Sequence, residues 1–189
     1  MLDHLRPALV MTVLFTLLTG IAYPLALTGI AQTMLPAQAN GSLIRDGSAI
    51  VGSALIGQDF TGDRYFWPRP SVTSDMPYNA ASSSGSNLGP TSEKLKERVA
   101  ADVARLKASG IAGEIPADAA TASGSGLDPD ISPAFARDQA ARIARARGLP
   151  EAEVAALVER MTEGRLFGIV GEPRVNVLEI NLALDQLKS

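Results

Sequence analysis

The sequence predicts a single N-terminal transmembrane helix followed by one mixed α/β (α+β) soluble domain. Three observations carry this reading. No Asp, Glu, Lys or Arg occurs between Arg6 and Arg45, and Pro7 to Leu35 is dominated by Leu, Ile, Val, Ala, Met and Thr. About 150 residues follow, enough for one ordinary domain with a real core. Those residues mix short β-branched runs with apolar residues at helical spacing.

The anchor comes first. A helix rises ~1.5 Å per residue, so about 20 apolar residues cross a ~30 Å hydrocarbon core. Ala8 to Ala31 meets that length with some tilt. Pro24 lies inside it, where a proline removes a backbone hydrogen bond and kinks the helix. Thr19 is near enough in sequence to satisfy the freed carbonyl. Arg6 and the α-amino group precede the helix, and no Lys or Arg follows it before Arg45. The positive-inside rule then makes residues 1–7 a cytoplasmic N-terminus, 8–31 the span, 32–47 a connector and 48–189 an extracytoplasmic domain. Asp3 offsets part of that bias. Ala37-Gln38-Ala39 has the small-x-small form of a signal cleavage site. A signal's apolar core runs about 7–15 residues and this one is nearly twice as long, which favours a retained anchor.

Composition narrows the chemistry. The formal net charge is −3 and no basic patch stands out, which argues against nucleic acid as a partner. The chain has no cysteine, and its single histidine, His4, precedes the anchor. The domain therefore lacks the residues for a Ser-His-Asp triad, a Cys nucleophile or a His/Cys zinc site. It also lacks a G-x-S-x-G elbow and a G-x-x-x-x-G-K-[ST] phosphate loop. No metal site is expected. A carboxylate pair or a Ser-Lys arrangement stays open.

Along the domain, Ser48 to Ile56 is short, apolar and partly β-branched, and reads as a strand. Tyr65-Phe66-Trp67 leads into Pro68-Arg69-Pro70, whose prolines forbid a regular helix. Ser71 to Pro90 has the composition of an ordered loop. A helix follows with Thr91 or Ser92 as N-cap, an apolar face of Leu95, Val99, Val103 and Leu106, and an end at Gly110. Ile115 to Gly126 is ambiguous: its alanines and Thr121 suggest a strand, while Gly124 and Gly126 loosen its end. Ser132-Pro133 starts a helix that stops at Gly148, and Pro150 opens another that ends near Gly164. Asn176 and Glu179 form a capping-box pattern for a last helix, Val177 to Leu187; Val175 to Leu182 also alternates as a strand does.

Six ordered blocks are more specific than these periodicities. They are Gly52 to Gln58 with Phe60; Tyr65 to Ser71; Ser84-Gly-Ser-Asn-Leu-Gly-Pro-Thr91; Ser125-Gly-Leu-Asp-Pro129 with Ile131-Ser-Pro133; Gln139 with Arg142; and Arg174 to Leu178 with Asn181 to Asp185. Together they resemble KdpC, the C subunit of the bacterial high-affinity potassium-transporting ATPase, over nearly the whole chain. Asp130 departs from the pattern, since that family usually has His after the Asp-Pro pair. The resemblance implies a non-catalytic membrane subunit that assembles with a channel-like potassium-binding subunit and a P-type ATPase subunit. It further implies a catalytic chaperone that raises ATP affinity through a transient complex, with ATP the one cofactor in play. In that description Gln139 is the nucleotide-binding glutamine, compared with the one in the ABC-transporter signature. The charge bias conflicts with this, because ATP is cytoplasmic and Gln139 would lie outside. A domain outside the membrane acts instead at the potassium entrance or braces the channel-like subunit. Two other classes stay open: a membrane-tethered envelope enzyme and a small-ligand-binding module.

The remaining candidates are partner contacts. Pro24, with Gly20 and Gly29, suits close helix packing or merely kinks an anchor surrounded by membrane lipid. Of Tyr65, Phe66 and Trp67, one is expected at the surface and the others in the core. Arg69 pairs with a carboxylate, a partner's or an internal one. Asn79, Ser84, Ser86 and Asn87 either face a partner or cap their own backbone. Asp128 before Pro129 is most simply an Asx turn. Gln139 and Arg142 share a helix face, expected to be solvated or bonded to the preceding turn rather than to a ligand.

Overall fold

A computed structural model of the chain describes residues 4–187. The backbone divides into two units, residues 1–51 and 52–189.

The first unit is dominated by an unbroken apolar helical stretch, Leu5–Met34, of 30 residues. It exceeds the expected span by about a turn at either end. Two α-helical segments, α1 (Leu5–Leu17) and α2 (Tyr23–Met34), flank a π-helical turn at Leu18–Ala22. Pro24 accounts for the wide turn. It has no N–H to donate and its ring crowds the carbonyl four residues back, so the ladder loosens just before it. The Tyr23 amide reaches back five residues to the Leu18 carbonyl. Thr19 does not serve the freed carbonyl; its hydroxyl donates to the Phe15 carbonyl at 2.7 Å. Thr28 bonds the Pro24 carbonyl at 2.8 Å, and Thr33 bonds the Gly29 and Ile30 carbonyls. These hydroxyls find partners on their own helix, as hydrocarbon surroundings require. Large apolar side chains such as Leu9, Leu14, Phe15, Ile21, Leu25 and Ile30 are exposed all round the stretch. Such a surface suits lipid or neighbouring helices and not water. The chain has the form of a single-pass membrane protein. Past Met34, the expected connector folds into α3 (Pro36–Ala39) and the first strand of a two-stranded sheet, β1 (Leu43–Asp46) with β2 (Ala49–Ser53). The strand expected to reach Ile56 ends three residues earlier.

The second unit holds the core. Its elements are α4 (Glu93–Ala108), α5 (Ala117–Ala120), β3 (Asp130–Ile131), α6 (Pro133–Arg147), α7 (Glu151–Met161), β4 (Thr162–Glu163), β5 (Arg174–Asn176) and α8 (Val177–Gln186). Ser92 caps α4 by accepting from the Leu95 amide, although only Leu106 of its apolar face is fully buried. The strand expected within 115–126 is absent: α5 and loop occupy it. Ser132 caps α6 from the Phe135 amide and is itself gripped by Asp118 through its amide and hydroxyl. Gly148 ends α6 at φ +70°, a left-handed conformation that glycine adopts without a Cβ clash. Helix α7 stops at Met161, not near Gly164, because the chain passes into β4. Strands β3, β5 and β4 form a small antiparallel sheet in the order β3-β5-β4, pairing Ile131 and Thr162 with Val175. Asn176 ends β5 and caps α8 at the Glu179 amide, so strand and helix meet at one residue. The core packs Phe66, Leu106, Phe135, Ile143, Val154, Val158, Val175, Val177, Ile180 and Leu184. Each such side chain contributes about 1.5–3 kcal/mol on burial. Two helices, α6 and α8, therefore present one side to the aromatic segment at 65–67.

Candidate functional site

Two buried amides hold that segment. Asn181 on α8 accepts from the Phe66 amide at 2.8 Å and donates to the Phe66 carbonyl at 3.1 Å. Gln139 on α6 does the same to the next residue, accepting from the Trp67 amide at 2.7 Å and donating to its carbonyl at 3.2 Å. Each side chain replaces a missing strand neighbour, satisfying both main-chain groups of a segment that lies in the core without a sheet partner.

Two arginines complete the clamp. Arg142 donates to the carbonyls of Asp63 and Tyr65 and to Gln139 Oε1, and its guanidinium lies 3.8 Å from the Trp67 ring centroid. Burial lowers its pKa to about 10, so it stays charged at neutral pH. Arg147, almost wholly buried, donates to the carbonyls of Arg64 and Leu184 and pairs with Asp185 at 2.6 Å. Asp185 also accepts from the Tyr65 hydroxyl at 3.2 Å. Every main-chain carbonyl from residue 63 to residue 67 thus accepts a side-chain hydrogen bond from α6 or α8. These groups are amides and guanidiniums engaged with main-chain carbonyls, and none is placed as a general acid or base.

The next stretch is fastened to the 121–128 loop. Arg69 pairs with Asp128 at 2.7 Å and donates to the Thr121 carbonyl. The Ser71 hydroxyl donates to the Gly126 carbonyl at 2.7 Å, and the Tyr78 hydroxyl to the Arg69 carbonyl at 2.8 Å. Gly126 sits at φ +68°, where an added Cβ would fall 2.7 Å from the Ser84 carbonyl oxygen. An open groove of about 540 Å³ runs beside this stretch, lined by Phe60, Trp67, Pro68, Arg98, Asp102 and Arg105 among others.

The chain has relatives among known proteins. A family model described as K+-transporting ATPase, c chain (KdpC) matches residues 5–186. The chain belongs to the KdpC family. A potassium-transporting ATPase KdpC subunit from Allorhizobium ampelinum is 63% identical over 185 residues, covering 98% of this chain and 97% of the relative. The KdpC subunit of Sorangium cellulosum is 59% identical over 187 residues, with 98% of both chains covered. That of Methylobacterium nodulans is 56% identical over 198 residues, covering 99% of this chain and 98% of its own. The chain is accordingly a subunit of a potassium-transporting ATPase, in complex with other subunits of that assembly.

Against the KdpC blocks, the structure distributes the sequence candidates unevenly. Gln139, Arg142, Tyr65 and Phe66 converge on the clamp. The face carrying Gln139 and Arg142 is neither solvated nor bonded to the preceding turn, because α6 packs against the 63–67 loop. None of the three aromatics is exposed: Phe66 and Trp67 are buried and Tyr65 is half-buried. Arg69 and Asp128 meet each other, and Asp128 also accepts from the Asp130 amide at 3.1 Å, closing the expected Asx turn. Asp130, which replaces the usual His, pairs with Arg174 at 3.1 Å and accepts from the Asn176 amide group. Asn79 bonds its own loop, accepting from the Ala81 amide and donating to the Ser74 carbonyl. Ser86 accepts from the Leu88 amide, Ser84 joins the Ser125 carbonyl through its main chain, and Asn87 holds φ +50°. Pro24 stands apart on the span. Among the described residues, no group of three or more His, Cys, Asp or Glu is gathered as for a metal ion.

Sequence reasoning passed over two features. Asn181 and Arg147 carry as much of the clamp as Gln139, yet periodicity marks them only as helix positions. The second is the turn between β4 and β5. Leu166, Phe167, Ile169 and Val170 are all exposed there, Phe167 by 87% and Ile169 by 79%. The signal was available: four apolar residues around Gly168, bracketed by Gly164 and Gly171 and by the opposite charges of Arg165 and Glu172.

Proposed function

We propose that this chain is a non-catalytic accessory subunit of an ATP-driven potassium uptake complex, with its span in the inner membrane and its domain outside the cytoplasm. It assembles with the channel-like potassium-binding subunit and the P-type ATPase subunit, and catalysis lies in the latter. The observation that carries an indirect role is Gln139. It is fully buried with both ends of its amide on the Trp67 main chain. Reaching a nucleotide would require breaking that pair and stripping Arg142 of an acceptor in the core. Any gain in ATP affinity is therefore transmitted through partner contacts, and the clamp's task is to present a rigid 63–72 stretch. Pro24 and the span supply the membrane half of docking.

A topology reporter fused after Ser189 tests the arrangement, with an external signal expected. An internal signal would return direct nucleotide contact to consideration. Deleting the chain should abolish potassium-dependent ATP hydrolysis by the complex; assembly and coupled activity unchanged in its absence would remove the proposal.

A further inference from the structure

We infer that the tip between β4 and β5, residues 165–172, is a preformed plug that inserts into an apolar cleft on another subunit of the same ATPase. The inference rests on the subunit role proposed above and names the surface that carries it.

The tip is built for presentation. Leu166 and Val170 exchange both main-chain hydrogen bonds, at 2.9 and 3.0 Å. Arg165 and Glu172 close the base at 2.6 Å. Phe167 and Gly168 take left-handed φ of +54° and +77°. A non-glycine residue pays for that conformation, and here it turns a phenyl ring outward instead of onto the domain. Four large apolar side chains in five residues then stand in water. A soluble surface rarely keeps such a cluster unless something covers it.

Charge distinguishes protein from lipid as the cover. Stretch 162–174 contains Glu163, Arg165, Glu172 and Arg174, for a net charge of zero. Both arginines are already engaged, Arg165 with Glu172 and Arg174 with Glu163 and Asp130. Segments that lie on anionic membranes combine apolar side chains with basic ones that bind headgroups. This tip offers no unpaired cation. A hydrogen-bonded, pre-shaped apolar tip suits a protein cleft, where rigidity reduces the ordering cost of binding.

The test uses the full chain expressed with its ATPase partners. A photo-crosslinking amino acid at position 167 or 169, activated in membranes, is expected to join another subunit. Adducts with lipid alone, with a second copy of this chain, or none at all would overturn the inference. In parallel, the double variant Phe167→Ser, Ile169→Ser should co-purify at least ~10-fold less with the other subunits, the scale of losing one buried hot-spot side chain. Phe167→Leu should restore most of that loss. Because these side chains touch little of their own domain, Trp67 fluorescence and the thermal midpoint should match wild type. Full co-purification of the Ser variant overturns the plug. A wild-type chain that fails to co-purify at all would instead remove the subunit role itself, so the two failures are told apart.

Discussion

The loop at 62–67 and the tip at 165–172 are built from opposite chemistry. The loop carries Phe66 and Trp67 into the core and is held by polar side chains: Gln139, Asn181, Arg142 and Arg147 bond its main chain from two helices. The tip lies in solvent and is covered by apolar side chains held up by a short ladder of their own. A polar group inside must find its partner within the chain, because an unmet one costs about 1–3 kcal/mol. An apolar group outside finds its partner elsewhere. The first region serves folding directly and assembly only by being rigid; the second serves assembly and contributes little to folding.

That division yields predictions of graded size. The largest effect is expected for Gln139→Ala, which strands the Trp67 amide, the Trp67 carbonyl and an Arg142 donor and opens a cavity. It should destabilise the full chain in detergent by about 3 kcal/mol, read from thermal unfolding followed by the fluorescence of the single tryptophan, Trp67. A variant of unchanged stability with weakened nucleotide response would break the comparison, moving Gln139 to the binding side. Asn181→Ala should follow at about 2 kcal/mol. Combined with Gln139→Ala it should fall short of the sum by at least ~0.5 kcal/mol, since both amides hold adjacent residues of one loop. Strict additivity would mean two independent contacts in place of a clamp.

Smaller effects lie nearer the tip. Burial raises the Asp130 carboxyl above its ordinary value, against the pull of Arg174. A raised carboxyl binds its proton more tightly folded than unfolded. Its contribution is present on the acid side and is lost as pH rises through the folded value. Asp130→Asn should flatten that slope in urea melts and change neutral-pH stability by less than about 1 kcal/mol. Phe167→Ser should be smallest, within about 0.5 kcal/mol of wild type in the same assay. A loss above ~1.5 kcal/mol would show that the ring packs on its own domain.

Much of the fold was legible because its signals are local. Ser92, Ser132 and Asn176 cap the helices that their positions predict, and Gly148 ends α6 as a glycine after a basic turn should. The strand suggested within 115–126 did not form because alanine, its commonest residue, favours helix over strand, and Asp118 is drawn off to hold Ser132. The end of α7 was misplaced because a two-residue strand such as β4 has no period of its own. The clamp was half legible: Gln139 and Arg142 stood out as a pair, but their target lies 72 and 77 residues away at Trp67 and Tyr65.

Sequence alone determined the span, its proline, the caps and the family, since each depends on charge gaps, turn chemistry or ordered blocks along the chain. Only the tertiary structure decided which polar groups face inward and which apolar groups face out. Gln139 and Phe167 each look ordinary for the opposite location, an amide for a surface and a phenyl ring for a core. Their placement follows from which segments the helices and the β3-β5-β4 sheet bring together, and that is a long-range property no local pattern records.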